Sequence, residues 1–92
     1  MSLEKTVKMM FKNLYPDLAT GAVWAIKKRN WPKKFDGKTY YALGWVYHSK
    51  KWSDEVADLL RRSGLYYARV HFDVRTIDTY RIFIREVPRG KK

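Results

Sequence analysis

The chain has no cysteine, only two histidines and only nine acidic residues among 92. Without cysteine, neither a disulfide nor a thiolate metal site can supplement the core, and a reducing, cytoplasmic setting is the expectation. His48 and His71 fall in separate segments, too few and too far apart in sequence for a metal centre without clustered carboxylates. No apolar run approaches the roughly 18 residues of a membrane span. The first residues also lack the hydrophobic stretch of a signal peptide, so no membrane partner is expected. There is no P-loop and no GxGxxG, which leaves no cofactor motif, and no catalytic constellation is expected. Ser2, Ser49, Ser53 and Ser63 sit at the chain start or at expected helix ends, where turns and caps account for them.

What is present is positive charge. Twenty Lys and Arg against nine acids give a net +11. Such an excess repels itself in the folded state and favours polyanionic partners, chiefly nucleic acid. The accompanying 16% of aromatic residues argues against disorder. Ninety-two residues make one small domain, near the low end of what buries a self-sufficient core.

The clearest element is a helix between Trp52 and Ser63. Trp52, Val56, Leu59, Leu60 and Ser63 share one stripe of a 3.6-residue period. Ser53 is placed to cap it, Asp54 and Glu55 suit its N-terminal dipole, Arg61 and Arg62 its C-terminal one, and Gly64 stops it. An earlier helix is expected from Leu3, Val7, Met10, Phe11 and Leu14, ended by Pro16 and the turn residue Asp17. Ala22 to Lys27 reads as a first strand and Lys28 to Gly37 as a loop closing on the turn dipeptide Asp36-Gly37. Thr39 to Tyr47 reads as a second strand, with either of its faces able to meet the helices. Tyr66 to Arg75 and Thr79 to Val87 alternate cleanly as the last two strands, joined by Thr76, Ile77 and Asp78. A basic tail from Pro88 to Lys92 is expected to fray. The order is α-β-β-α-β-β: an α+β domain with one four-stranded antiparallel sheet, two helices on one face and the other face open.

Two places on this scheme could meet a polyanion. In the last hairpin, Ala68, Val70, Phe72, Val74, Tyr80, Ile82 and Ile84 would face inward, leaving Tyr67, Arg69, His71, Asp73, Arg75, Arg81, Phe83, Arg85 and Val87 outward. A three-residue connection would set Asp73 opposite Arg81 and Arg69 opposite Arg85, a like-charge pair that an anion could relieve. Rings beside cations suit stacked bases as well as phosphates. The second place is the loop holding Lys28, Arg29, Trp31, Lys33 and Lys34, a basic finger opposed only by Asp36. If about six cations each neutralise a phosphate, affinity falls with salt at a slope near −0.9 per contact.

Two family likenesses bear on this pattern. The run from Tyr40 to Glu86, containing YYALGWVYHSKKWSDEVADLLRRSGLYYARV, resembles the β-α-β-β rhythm of SPOR domains, which implies peptidoglycan binding. The full α-β-β-α-β-β order, with LLRRSGL before the third strand, is similar to LAGLIDADG homing-endonuclease domains. That likeness implies a basic sheet laid along the DNA major groove. In that family an acid at the end of the first helix, usually just before a glycine, holds the catalytic metal. Here Thr20 precedes Gly21, and Asp17 is the only stand-in. The likeness therefore implies DNA contact without cleavage.

The expectation is a small, non-enzymatic domain that binds DNA or RNA electrostatically with little sequence specificity. One rival is a protein-interaction module, a homodimer burying the Tyr67 and Phe83 face. The other is a LAGLIDADG-type nuclease using Asp17.

Overall fold

The computed structural model describes residues 16–73 and 79–88. Its elements are α1 (Pro16–Lys28), β1 (Lys33–Phe35), β2 (Lys38–Tyr47), α2 (Lys50–Arg62), β3 (Tyr66–Phe72) and β4 (Tyr80–Glu86). The strands form one antiparallel sheet in the order β1-β2-β4-β3. Because β2 and β3 both run antiparallel to β4, they run parallel to each other, and α2 is the crossover between them. Both helices lie on one face, as the α+β order requires. No helix among the described residues is long and apolar enough to cross a membrane.

The first half of the chain departs from the element boundaries expected of it. The helix anticipated over Leu3 to Leu14 lies outside the described residues. Pro16 opens α1 instead of ending a helix. A proline at the first helical position loses no intrahelical hydrogen bond and arrives with its φ already set. Asp17 follows in the first turn, where the dipole favours an anion. Ala22 to Lys27 is therefore helical, not a strand. Leu18, Ala22 and Ala25 are buried at i, i+4 and i+7, a helical stripe that an apolar run read from Gly21 onward conceals. The true first strand is Lys33–Phe35, inside what reads as loop. Its turn is the expected dipeptide: Asp36 (φ 53°) and Gly37 (φ 79°) are both left-handed, as a two-residue hairpin of this twist demands.

α2 forms as its periodicity predicts, but begins earlier. Ser49 is the N-cap, accepting from the Trp52 amide at 3.1 Å. Ser53 is not a cap; it is buried and donates to the Lys50 carbonyl at 2.8 Å. Asp54 and Glu55 consequently fall beyond the first turn, and Asp54 instead hydrogen-bonds Lys50, holding that ammonium above its ordinary pKa. Val56, Leu59, Leu60 and Ser63 are buried as expected, whereas Trp52 is exposed. Gly64 (φ 78°) ends the helix.

The core between sheet and helices joins Leu18, Ala22 and Ala25 of α1 with Val56, Ala57, Leu59 and Leu60 of α2 on Leu43, Ala68, Ile82 and Ile84 of the sheet. Fully burying side chains such as Leu43, Leu60, Ile82 and Ile84 contributes about 1.5–3 kcal/mol each. On β2 the helix-facing set is Leu43, Trp45 and Tyr47, and Tyr40 and Ala42 face away. Glycine sets how closely α1 approaches. A Cβ on Gly21 would run into the Trp45 ring, and one on Gly44 would meet the Trp24 ring at 3.2 Å. Helix and strand thus each lend a glycine to the other's tryptophan.

The last hairpin keeps its faces but not its register. Phe72 pairs with Tyr80, Val70 with Ile82 and Ala68 with Ile84, two residues removed from the expected pairing. Asp73 donates its amide to the Thr79 carbonyl at 2.9 Å, just beyond the last strand pair, Phe72 with Tyr80. Val74, Arg75, Thr76, Ile77 and Asp78 lie outside the described residues, as does the tail beyond 88. A slip of two preserves sidedness, since strand side chains repeat every second residue. It does change partners. Arg69 lies opposite Phe83, and Arg85 opposite Tyr67. The expected Arg69–Arg85 clash is absent, and His71, not Asp73, lies opposite Arg81.

Candidate nucleic-acid interface

The face of the sheet turned away from α1 and α2 alternates rings with cations. Its foundation is Phe83, only 4% exposed, with Tyr40 and Ala42 beside it and Phe35 of β1 packed across them. Phe35 meets Phe83 at 5.5 Å and Tyr40 at 5.2 Å, and His71 meets Phe83 at 5.9 Å, all edge-to-face. Each such contact adds about 0.5–1.5 kcal/mol beyond area burial. Phe83 is therefore no stacking platform, contrary to expectation. A ring that buried has no face left to offer.

Cations lie over this foundation. The Arg81 guanidinium sits 4.2 Å from the centre of the Trp31 ring and that of Arg85 sits 4.3 Å from Tyr67. Arg69 lies 5.1 Å from Phe35, and the Lys33 ammonium 5.7 Å from the same ring. Stacking engages the flat face of a guanidinium and leaves its in-plane N–H groups for acceptors. The Nε atoms of Arg81 and Arg85 are buried and find no acceptor among the described residues. Arg69 has one: Asp36 at the hairpin tip, 2.5 Å away across an exposed ion pair.

Trp31 reaches this face through an unusual connection. Arg29 (φ 52°) and Trp31 (φ 44°) are both left-handed, a conformation costly for bulky side chains and found where surrounding structure enforces it. The enforcing residue is Asn30 between them. Its side-chain amide donates to the Ala42 carbonyl at 2.8 Å, and its own carbonyl accepts from the Ala42 amide at 2.9 Å. These two bonds clamp the connection to β2. Trp31, half exposed at 51%, then walls a depression of about 420 Å³ with Lys33, His71, Asp73 and Arg81, floored by Phe83.

The residues expected to act together are therefore partly separated. Tyr67, Arg69, Arg81, Arg85, Trp31 and Lys33 converge on one face. Lys34 does not, because it pairs with Thr39 on the opposite side of the ribbon. Lys28 lies in the last turn of α1, where it complements the helix dipole. Arg29 is exposed in the connection, and Arg75 lies outside the described residues. Sequence reasoning missed Asn30, Phe35 and Tyr40, and gave Asp73 only as the partner of Arg81 on this face. For the two rings a signal existed: Lys33-x-Phe35 and Lys38-x-Tyr40 alternate about Asp36-Gly37, a period-two hairpin pattern. Nothing in sequence marks Asn30, whose partner is twelve residues away.

For metal chemistry the described residues offer no group of three His, Cys, Asp or Glu side chains. No protein-family model matches this chain, and no match was found among curated proteins or solved structures.

Proposed function

We propose that this domain binds nucleic acid through the ring-and-cation face of its sheet, as a non-catalytic module that chiefly grips the phosphate backbone. The observation that carries the reading is the pairing of Arg81 with Trp31 and Arg85 with Tyr67, both with an Nε still lacking an acceptor among the described residues. An orphaned buried N–H is costly, about 1–3 kcal/mol, and a phosphate oxygen would satisfy it by drawing the guanidinium outward from the layer. Guanidinium groups suit phosphate because their planar fork matches two oxygens at once. The net charge of +11 adds long-range attraction to any polyanion. DNA and RNA both present that backbone.

The test is a salt titration of binding to single- and double-stranded DNA and RNA oligomers. Wild type is expected to give a steep log–log slope. Arg81→Gln with Arg85→Gln should give a shallower one, by about 0.7–0.9 for each phosphate no longer neutralised. Those two positions are preferable to Arg69, whose guanidinium is already engaged by Asp36. Unchanged affinity in a folded double variant would remove this face from consideration. A salt-insensitive dimer indifferent to nucleic acid would favour a protein-interaction module instead.

A further inference from the structure

A face built only to hold phosphates has no use for a carboxylate, yet the depression beside Trp31 contains one. Asp73 is 9% exposed, on the same side of β3 as His71, and it lines the cavity with Lys33 and Arg81. The hydrogen bond from its backbone N–H to the Thr79 carbonyl fixes it at the end of the strand. A carboxylate repels a phosphate and attracts a hydrogen-bond donor. Of the groups on a nucleic acid, the donors are base N–H groups and sugar hydroxyls. Trp31, stacked by Arg81 and still half exposed, supplies a surface for a base beside that acceptor.

Resting on the nucleic-acid reading, we infer that this depression is a subsite for one unpaired guanine. The base stacks at the Trp31 indole, and its N1–H and N2 amino group donate to the Asp73 carboxylate. Guanine alone has two donors side by side on its Watson–Crick edge, matching two carboxylate oxygens. Adenine and cytosine set one amino group beside a ring-nitrogen acceptor. Thymine and uracil flank one N–H with two carbonyls, which the carboxylate repels. A carboxylate offers about four acceptor positions, and the subsite requires two of them besides those that Asp73 uses within the protein. Lys33 at the rim is placed for the phosphate of the same nucleotide. In a duplex the Watson–Crick edge is already engaged, so the subsite reads single strands.

The experiment measures fluorescence anisotropy of an oligodeoxythymidylate and of the same strand carrying one central dG, deoxyinosine, dA or dC. The dG strand is expected to bind about tenfold more tightly than the parent, as a hydrogen bond to a charged acceptor implies. Deoxyinosine, which lacks the N2 amino group, should lose most of that gain. This comparison uses the unaltered protein and so does not depend on any variant folding. Asp73→Asn should abolish the preference and leave parent-strand affinity unchanged or higher. Equal affinities for dG and deoxyinosine, with the parent strand bound in a salt-dependent way, overturn the subsite and leave the phosphate-binding face standing. A preference that survives in folded Asp73→Asn also overturns it. Failure of every strand to bind removes the broader reading and this one with it.

Discussion

The two faces of this sheet achieve burial by different means. Beneath the helices, aliphatic and small side chains close on one another, and the buried serines are satisfied locally. Ser53 donates to Lys50, and Ser63 donates to Leu60 at 2.6 Å while accepting from the Leu65 amide. On the outer face no described helix covers the strands, yet Phe83 is nearly as buried as Ile82 and Ile84 beside it. Among the described residues the cover is one layer of side chains: Phe35 from the edge ribbon, Tyr40 and His71. A layer that thin leaves guanidinium groups at its surface and strands the Nε atoms of Arg81 and Arg85 within it. Stability alone would favour apolar or neutral residues there, because grouped cations repel. The difference separates what holds the fold from what the fold displays.

The strongest way to test that contrast is to truncate one large side chain on each side. Ile82→Ala should cost about 2–5 kcal/mol and Phe83→Ala about 3–5 kcal/mol, read from urea unfolding. Comparable losses would establish the outer aromatic layer as a second core. A Phe83→Ala cost no larger than that of an exposed substitution would mean the layer merely rests on the sheet. Next in size is Gly21→Ala. Helix propensity alone would stabilise it by roughly 0.5–1 kcal/mol, but a methyl there meets the Trp45 ring. Overpacking of about 1–3 kcal/mol should prevail, giving a net loss. Gly44→Ala, which presses on the half-exposed Trp24, should lose less. Equal effects would show that the α1 seat yields freely.

How legible all this was depended on the range of the forces involved. α2 was readable because its apolar stripe and terminating Gly64 act within a few residues of one another. The outward set on β3 and β4 was readable because alternation survives even a register slip of two. The register itself was not, because alternation repeats every second residue and so does not distinguish Phe72 opposite Tyr80 from Val74 opposite Tyr80. α1 was misread because Ala22 to Ile26 is uniformly apolar, and only Leu18 upstream reveals the helical spacing. Of the interface, the cations could be named in advance but not their grouping. That grouping rests on the Asn30 clamp to Ala42, which turns Trp31 onto Arg81 and leaves Lys34 behind.

A smaller effect is expected from the exposed rings. Tyr67→Ala removes a ring that is 41% exposed and carries Arg85 on its face. Stability should fall by no more than about 0.5–1 kcal/mol, the range of an exposed cation–π contact. Affinity for a single strand should fall more, by about 1–3 kcal/mol if a base stacks there. The salt slope should not change, because a tyrosine ring neutralises no phosphate. Anisotropy at several salt concentrations separates the two: a parallel downward shift supports stacking, and a shallower slope shows that the ring acts by positioning Arg85.

The smallest change in the fold should come from Asp36→Asn, and it is the most direct way to part display from support. Asp36 and Arg69 form the one ion pair among the described residues that spans the hairpin tip and β3, with side chains 79% and 44% exposed. Exposed pairs contribute about 0–1 kcal/mol, so little stability is at stake. Asn-Gly favours the same left-handed two-residue turn as Asp-Gly, so the hairpin should keep its register. What changes is the availability of Arg69, released from the hairpin-tip carboxylate and left over Phe35 and Tyr40. If the outer face exists to present cations, the variant should unfold at nearly the wild-type urea concentration yet bind nucleic acid more tightly at low salt. Its slope should steepen by about 0.7–0.9 as one further phosphate can be neutralised. Lower affinity with unchanged stability would mean that Asp36 orients Arg69 for its ligand, and that even the acid at the hairpin tip belongs to the interface.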